Sequence, residues 1–263
     1  MFFHVKPPWY IIHKIILTSC LSKKDVVVEI GCGEAWLSKA IIDIVNTLYV
    51  YEIDPKFMEI AHERLHGYDN VTYVLGDVLK TGFHRIKEDN YKIIANIPYY
   101  ISAKIIKLII ENRNSISKAV IMVQKEFADK LCAKPGSKVY TSFTLYSHFY
   151  LEAKQLFKVS KSCFRPVPKV DSCVVEFVPR KEALFKVEED VFFSIIRSAF
   201  STRRKKLINC LAKSPYLELK PGFKDIAFFE NNELVRGEEL GLKEFYELYT
   251  QLLPFLISDR TKD

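Results

Sequence analysis

The sequence predicts an α/β protein: a mostly parallel seven-stranded sheet flanked by helices, followed by a small all-helical domain at the C-terminal end. From Val26 to Val123, short runs rich in β-branched residues alternate with amphipathic stretches of helical length, the pattern of a parallel sheet covered on its faces. The run Val26–Ile30 leads through Gly31-Cys32-Gly33-Glu34-Ala35 into the helical Trp36–Val45, a strand, a tight turn and a helix in succession. Beyond Pro179 the strand signal stops, and helical periodicity takes over through Val191–Leu211 and Leu242–Leu256.

Five strands are expected at Val26–Ile30, Leu48–Ile53, Val71–Leu75, Ile93–Ala95 and Ala119–Val123, with helices in the gaps. Two more, Leu151–Val159 and Ser172–Val178, are joined by the Pro-rich turn Phe164-Arg165-Pro166-Val167-Pro168 and fit a hairpin at a sheet edge. The boundary falls near residue 180, dividing 1–180 from a helical 181–263.

The 263 residues carry 39 Lys+Arg against 32 Asp+Glu, a net charge of +7 that favours an anionic partner. Distribution is more informative. Between Ala153 and Val170 lie Lys154, Lys158, Lys161, Arg165 and Lys169 with no acid, and Arg203-Arg204-Lys205-Lys206 forms a second cluster. Both are expected to meet phosphates, and Lys161, Arg165, Lys169, Arg203, Arg204, Lys205 and Lys206 are the candidate phosphate-binding residues; either cluster alone reads equally as a solvated face. The six cysteines include no Cys-x-x-Cys pair, so reduced thiols are expected rather than a zinc knuckle or redox motif. Lys6, Pro7, Pro8, His13 and Lys14 interrupt the N-terminal apolar residues, which excludes a signal peptide, and no run approaches the ~18 apolar residues of a membrane span. A cytoplasmic protein with no membrane association is expected.

Three strand ends supply ligand-binding groups in order. Gly31 and Gly33 let the backbone approach a ligand that a Cβ would block. Glu52 lies 19 residues after Gly33, where such folds place an acid that accepts ribose hydroxyl protons. Gly76-Asp77 ends the third strand with a carboxylate suited to an adenine amino group. Singly, Glu52 and Asp77 read as ordinary loop-start acids; together with the glycine turn they point to an adenosyl ligand. No second mononucleotide unit follows, which disfavours a dinucleotide.

The fourth strand runs into Asn96-Ile97-Pro98-Tyr99. Here, and in Glu29–Gly33, Glu52-Ile53-Asp54, Gly76-Asp77, Tyr100-Ile101-Ser102, Val123-Gln124-Lys125-Glu126, Phe164–Ser172 and Ala199–Lys205, the sequence resembles the ribosomal RNA adenine dimethyltransferase family. The motifs occur in order over residues 25–210. The resemblance implies a Rossmann-like class I methyltransferase fold, with a catalytic domain over 1–180 and an RNA-binding helical domain over 181–263. It implies S-adenosylmethionine as cofactor, with Glu29, Gly31, Gly33, Glu52, Ile53, Asp77, Val78 and Asn96 around it. The implied activity is methylation of the adenine N6 amine in small-subunit ribosomal RNA during ribosome biogenesis, with dimethylation expected, by a monomer acting on the RNA or a subunit precursor.

That chemistry accounts for the residue types. An adenine amine donates its lone pair into the ring and is a poor nucleophile. The Asn96 side-chain oxygen and the Pro98 carbonyl can accept from the amine and turn the lone pair towards the methyl donor, which is orientation plus electrostatic stabilisation. No strong base is required, because the ammonium-like product is acidic enough to release its proton to water. The target base must be single-stranded or flipped, and Tyr99 is the stacking platform. The resemblance implies Phe164 as the opposite face; the alternative is a turn anchor packed under the two prolines.

His62-Glu63-Arg64-Leu65-His66 satisfies the pattern His-Glu-x-x-His of zinc proteases, but no third ligand follows at a recognisable spacing, so no metal is expected. The family's opening Gly-Gln-x-Phe-Leu stretch is replaced by Phe2-Phe3-His4-Val5-Lys6, a departure that bears on cofactor affinity and closure of the site. Ala35 stands where a third glycine is usual, a mild change if only close helix packing is required. Two other functions remain open: a large-subunit methyltransferase of the macrolide-resistance type, and a non-enzymatic nucleic-acid-binding factor. Pro168–Ser172 and Arg203–Leu207 resemble the small-subunit enzymes more, and intact Asn96, Tyr99, Glu52 and Asp77 speak for activity.

Overall fold

In the computed structural model the described residues are 9–164 and 166–257. Seven strands, β1 (Val26–Ile30), β2 (Thr47–Glu52), β3 (Val71–Leu75), β4 (Tyr91–Asn96), β5 (Ile116–Gln124), β6 (Leu151–Val159) and β7 (Ser172–Pro179), form one sheet in the order β3-β2-β1-β4-β5-β7-β6. The helices are α1 (Trp9–Ser19), α2 (Trp36–Ile41), α3 (Pro55–Arg64), α4 (Val78–Thr81), α5 (Ser102–Glu111), α6 (Lys125–Leu131), α7 (Ser142–Tyr150), α8 (Glu189–Ala199), α9 (Leu207–Ala212), α10 (Ala227–Asn231) and α11 (Leu242–Leu252). Strands β1 to β5 are parallel; β7 enters antiparallel against β5, and β6 closes the edge beside it as the expected hairpin.

Central strands read as continuous apolar runs because both of their faces are covered. All five residues of β1 are buried, Glu29 included. Edge strand β6 is instead buried only at its two ends, Leu151 and Val159. Behind β1, β2 and β4 lies a cluster containing Ile11, Ile12 and Ile15 of α1, Leu37 and Ile41 of α2, and Val27, Val50 and Ile94 of the sheet. Each such side chain contributes about 1.5–3 kcal/mol on burial. Helix starts follow local chemistry: Asp54 caps α3 by accepting from the Lys56 amide at 2.9 Å with Pro55 in the first turn, and Asp77 caps α4 through the Leu79 amide at 3.0 Å.

The sheet places a topological switch point at β1, whose neighbours β2 and β4 lie on opposite sides. Connections leaving the carboxyl ends of β1 and β4 diverge there and open a crevice.

The chain divides into two compact units, Met1–Ala128 with Tyr150–Lys181, and Asp129–Phe149 with Glu182–Asp263. A single boundary at 180 therefore leaves out 129–149, which belongs with the helical unit. Contacts within that unit explain why: Tyr140 donates its hydroxyl to the Leu240 carbonyl at 3.0 Å, Gly136 N–H reaches the Glu238 carbonyl at 2.7 Å, and the Phe149 ring lies 5.5 Å from Phe192. The expected helix over 191–211 is also interrupted. Helix α8 stops at Ala199, a turn carries Arg203 to Lys205, and α9 restarts at Leu207.

Gly237 marks the tightest backbone approach in the helical unit, since a Cβ there would sit 2.7 Å from both Cβ and the carbonyl oxygen of Ala199. Gly237→Ala should destabilise the protein by about 1–3 kcal/mol through overpacking. Thermal and urea unfolding measure this, and an unchanged midpoint would show that the two segments part without strain.

Candidate active site

The residues singled out at strand ends converge on the carboxyl edge of the sheet. Register places Ile30 opposite Tyr51 on one side and Ala95 on the other, so the glycine turn, Glu52 and Asn96 follow neighbouring strands. Glu52 pairs in register with Leu75, which brings Gly76 and Asp77 to the same edge.

Gly31 and Gly33 adopt φ of 74° and 52°, the left-handed region that favours glycine. A Cβ on Gly31 would meet no atom within 4 Å, so the backbone there faces open space of the kind a ligand can enter. Ala35 has φ 55° and is fully buried, so the usual glycine matters for backbone conformation as well as for packing.

Glu52 is 2% exposed. Its Oε2 accepts from Gly33 N–H at 3.0 Å, and its Oε1 from Ile53 and Asp54 N–H at 2.8 and 3.0 Å. Three backbone donors use most of the capacity of a carboxylate. The Cys32 thiol, 3.8 Å from Oε2, is a fourth neighbour of the same carboxylate. Glu29 turns into the same region, and its carboxyl accepts a hydrogen bond from the Ser38 hydroxyl at the start of α2. Burial, with the nearby Glu52 charge added, pushes Glu29 up to about 7 despite the Ser38 bond. Its hydrogen bond ties the end of β1 to α2. Burial likewise pushes the Cys32 thiol up, making it an unreactive filler of the turn.

Ile53, just after β2, and Leu75, the last residue of β3 and two before Asp77, are 48% and 54% exposed apolar surfaces. Asp77 uses Oδ1 for the Leu79 amide. The Val78 side chain is buried.

At the end of β4, Asn96 is half-buried and its amide makes no hydrogen bond among the described residues. The Pro98 carbonyl accepts from Ile101 N–H at 3.2 Å and keeps a second lone pair. The Tyr99 hydroxyl lies 2.7 Å from Ser172 Oγ on β7, a bond that fixes the ring and that sequence reasoning missed. The residue before it, Asp171, pairs with Lys158 at 2.7 Å and accepts from Lys161 N–H at 3.0 Å. The Lys158 bond, then the Lys161 amide, hold that carboxyl below its usual range.

Phe164 differs from the expectation. It is 2% exposed and packs in the apolar cluster with Val159 and Val174, in the turn-anchor position. The 3-10 turn over Lys161–Cys163 folds the chain back so that Phe164 N–H reaches the Lys161 carbonyl at 3.2 Å. Tyr100, 70% exposed, is the open aromatic of the motif.

The basic candidates separate. Lys161 and Lys169 are exposed, and Arg165 lies outside the described residues, as does Phe2–Lys6. Arg203 is committed: it pairs with Glu238 at 2.6 Å and donates to the Lys138 carbonyl at 2.7 Å. Lys206 pairs with Glu233 at 3.2 Å on the surface. Arg204 and Lys205 are exposed. Among the described residues no group of three or more His, Cys, Asp or Glu is arranged to hold a metal, and no helix is long and apolar enough to cross a membrane.

This strand order, with a glycine turn after β1, acids after β2 and β3 and Asn-Ile-Pro-Tyr after β4, defines a Rossmann-like class I methyltransferase fold. Residues 9–234 match the family described as ribosomal RNA adenine dimethylase. The chain is 37% identical over 252 residues to the ribosomal RNA small subunit methyltransferase A of Lactococcus lactis, covering 93% of this chain and 86% of that protein. A dimethyladenosine transferase from Plasmodium falciparum superposes with a TM-score of 0.80 at 28% identity, over 93% of this chain and 96% of that one. The 23S rRNA methyltransferase ErmE shares the fold with a TM-score of 0.73 at 24% identity, over 93% of this chain and 97% of that one. The chain belongs to the ribosomal RNA adenine dimethylase family.

Because Glu29 is raised above the ordinary carboxylate range, its burial costs little at acid pH and more as it ionises. Folding stability from this group is complete below about pH 4.5 and is lost as pH rises through about 7. Glu29→Gln should therefore gain stability over the parent at pH 8, with the difference shrinking towards pH 5. Urea unfolding across that range measures it; a constant difference would mean that Glu29 does not titrate there.

Proposed function

We propose that this enzyme transfers methyl groups from S-adenosylmethionine to the N6 amine of adenines in small-subunit ribosomal RNA, adding two per base. The observation that carries the reading is the placement of Asn96, Pro98 and Tyr99 directly across the switch point from the glycine turn, with Ala95 in register with Ile30. When bound, the cofactor supplies a methyl activated by its sulfonium.

The residues present suit such a donor. The open space at Gly31 admits its backbone-facing part, Glu52 can accept a ribose hydroxyl, and Ile53, Leu75 and Asp77 offer two apolar surfaces and an acceptor for an adenine ring. The Asn96 amide oxygen and the second lone pair of the Pro98 carbonyl accept the two N–H bonds of the target amine, drawing its lone pair out of conjugation. Tyr99, its hydroxyl held by Ser172, stacks on the flipped base and sets the approach. The product proton leaves to water. As a ribosomal RNA enzyme the protein would act as a monomer in the cytoplasm, where subunits assemble. Methyl transfer to unmodified small subunits, large subunits and naked RNA tests the substrate; transfer confined to large subunits would overturn it.

Asn96→Ala should lower kcat by about 100-fold or more while donor affinity stays nearly intact, because its contribution arises in the transition state. Calorimetry with S-adenosylhomocysteine beside single-turnover transfer checks this. Equal losses in both would misplace Asn96.

The exposed Arg204 and Lys205 should grip phosphates, whereas Arg203 holds its own unit together. Changing Arg204 and Lys205 to Gln should flatten the slope of log affinity against log salt by about 1.5, with little change in Tm. Arg203→Gln should instead lower Tm. An unaltered slope in the double variant would remove these residues from the RNA interface.

A further inference from the structure

The His62–His66 run has a use unrelated to metal. Arg64 ends α3, and its guanidinium carbon lies 3.6 Å from the centre of the Trp36 ring. Nη1 of the same side chain donates to the Glu34 carbonyl, and Trp36 Nε1 donates to the Glu34 carboxylate at 2.8 Å. Trp9 of α1 meets Trp36 edge-on, with ring centroids 5.6 Å apart. Within the same run, His62 stacks on Tyr73 at 3.8 Å, which settles α3 against β3.

Glu34 follows Gly33, whose amide is held by Glu52. The glycine turn is therefore gripped at two successive residues, by the carboxylate that ends β2 and by the guanidinium that ends α3. A stacked guanidinium suits this task, because it lies flat on an aromatic face while donating in its own plane.

We propose that Arg64 and Trp36 form a clamp that positions the glycine turn for the methyl donor, with Trp9 tying the clamp to α1. This rests on the donor reading above. Arg64, Trp36 and Trp9 act through the turn, so they are positioning residues.

Trp9 and Trp36 are the only two tryptophans in the chain, so fluorescence excited selectively at tryptophan, beyond the absorption of the 14 tyrosines, reports on the clamp. The test titrates S-adenosylhomocysteine into the full-length protein and into Arg64→Ala, Arg64→Lys and Trp36→Phe, by calorimetry and fluorescence, with circular dichroism confirming the fold. Wild type should bind with a change in fluorescence. Arg64→Ala should bind about tenfold more weakly, the order expected for losing a hydrogen bond from a charged group. Arg64→Lys should recover little, because an ammonium cannot stack and donate in one plane. Trp36→Phe, which keeps a stacking face, should stay closer to wild type than Arg64→Ala. In transfer assays of Arg64→Ala, KM for the donor should rise while KM for RNA holds. Affinity of Arg64→Ala within about twofold of wild type overturns the clamp, as does an equal rise in both KM values. If Arg64→Ala fails to fold, unchanged affinity in Arg64→Lys overturns it. A wild-type protein that does not bind the product overturns the donor reading and the clamp with it.

Discussion

The bond from the Gly33 amide to the Glu52 carboxylate ties the end of β1 to the end of β2, and the carboxyl edge of the sheet is organised around it. Burying a carboxylate is expensive unless its lone pairs are satisfied. Glu52 meets that condition with three backbone N–H groups from two different loops, so the charge that would bind a ligand also shapes the turn that would receive it. Glu29 on β1, equally buried, has the Ser38 hydroxyl and the raised proton affinity of a group short of donors. Two carboxyls in one region thus take different roles through their surroundings, Glu52 as the acceptor that closes the glycine turn and Glu29 as a brace between β1 and α2.

A second linkage runs through β7. Asp171 and Ser172 are adjacent and so point to opposite sides of an extended chain. Asp171 holds Lys158 and the Lys161 amide, which sets the turn that carries the basic residues; Ser172 holds the Tyr99 hydroxyl. The Val-Asp-Ser stretch accordingly joins the basic turn to the Asn96–Tyr99 motif.

Much of this was legible in the sequence where local pattern and final environment agree. Strands β1, β3 and β6 fall at their expected bounds, because β-branched runs suit both buried parallel strands and the hairpin. Strand-end chemistry was legible too, since the glycine turn, Glu52, Asp77 and Asn96 follow fixed positions in a repeating βα unit. Features that depend on distant partners were not. The association of 129–149 with the helical unit rests on contacts such as Tyr140 with Leu240, and the commitment of Arg203 rests on Glu238. Phe164 has the right residue type for stacking, and only packing reveals that its ring is enclosed. The left-handed Ala35 was read as a packing matter because an alanine gives no sign of its φ.

The discontinuous second unit has a consequence for synthesis. Residues 129–149 leave the ribosome well before Leu240 and Glu238, to which Tyr140 and Gly136 bond. At ordinary elongation rates that interval is about 5–20 s, long compared with the formation of local helices. During it, β1 to β5 can assemble while the aromatic face around Phe149 waits without its cover. The nascent chain is then most open to misassociation in the interval before α8 and α11 emerge, and a truncation after residue 180 would make that transient exposure permanent.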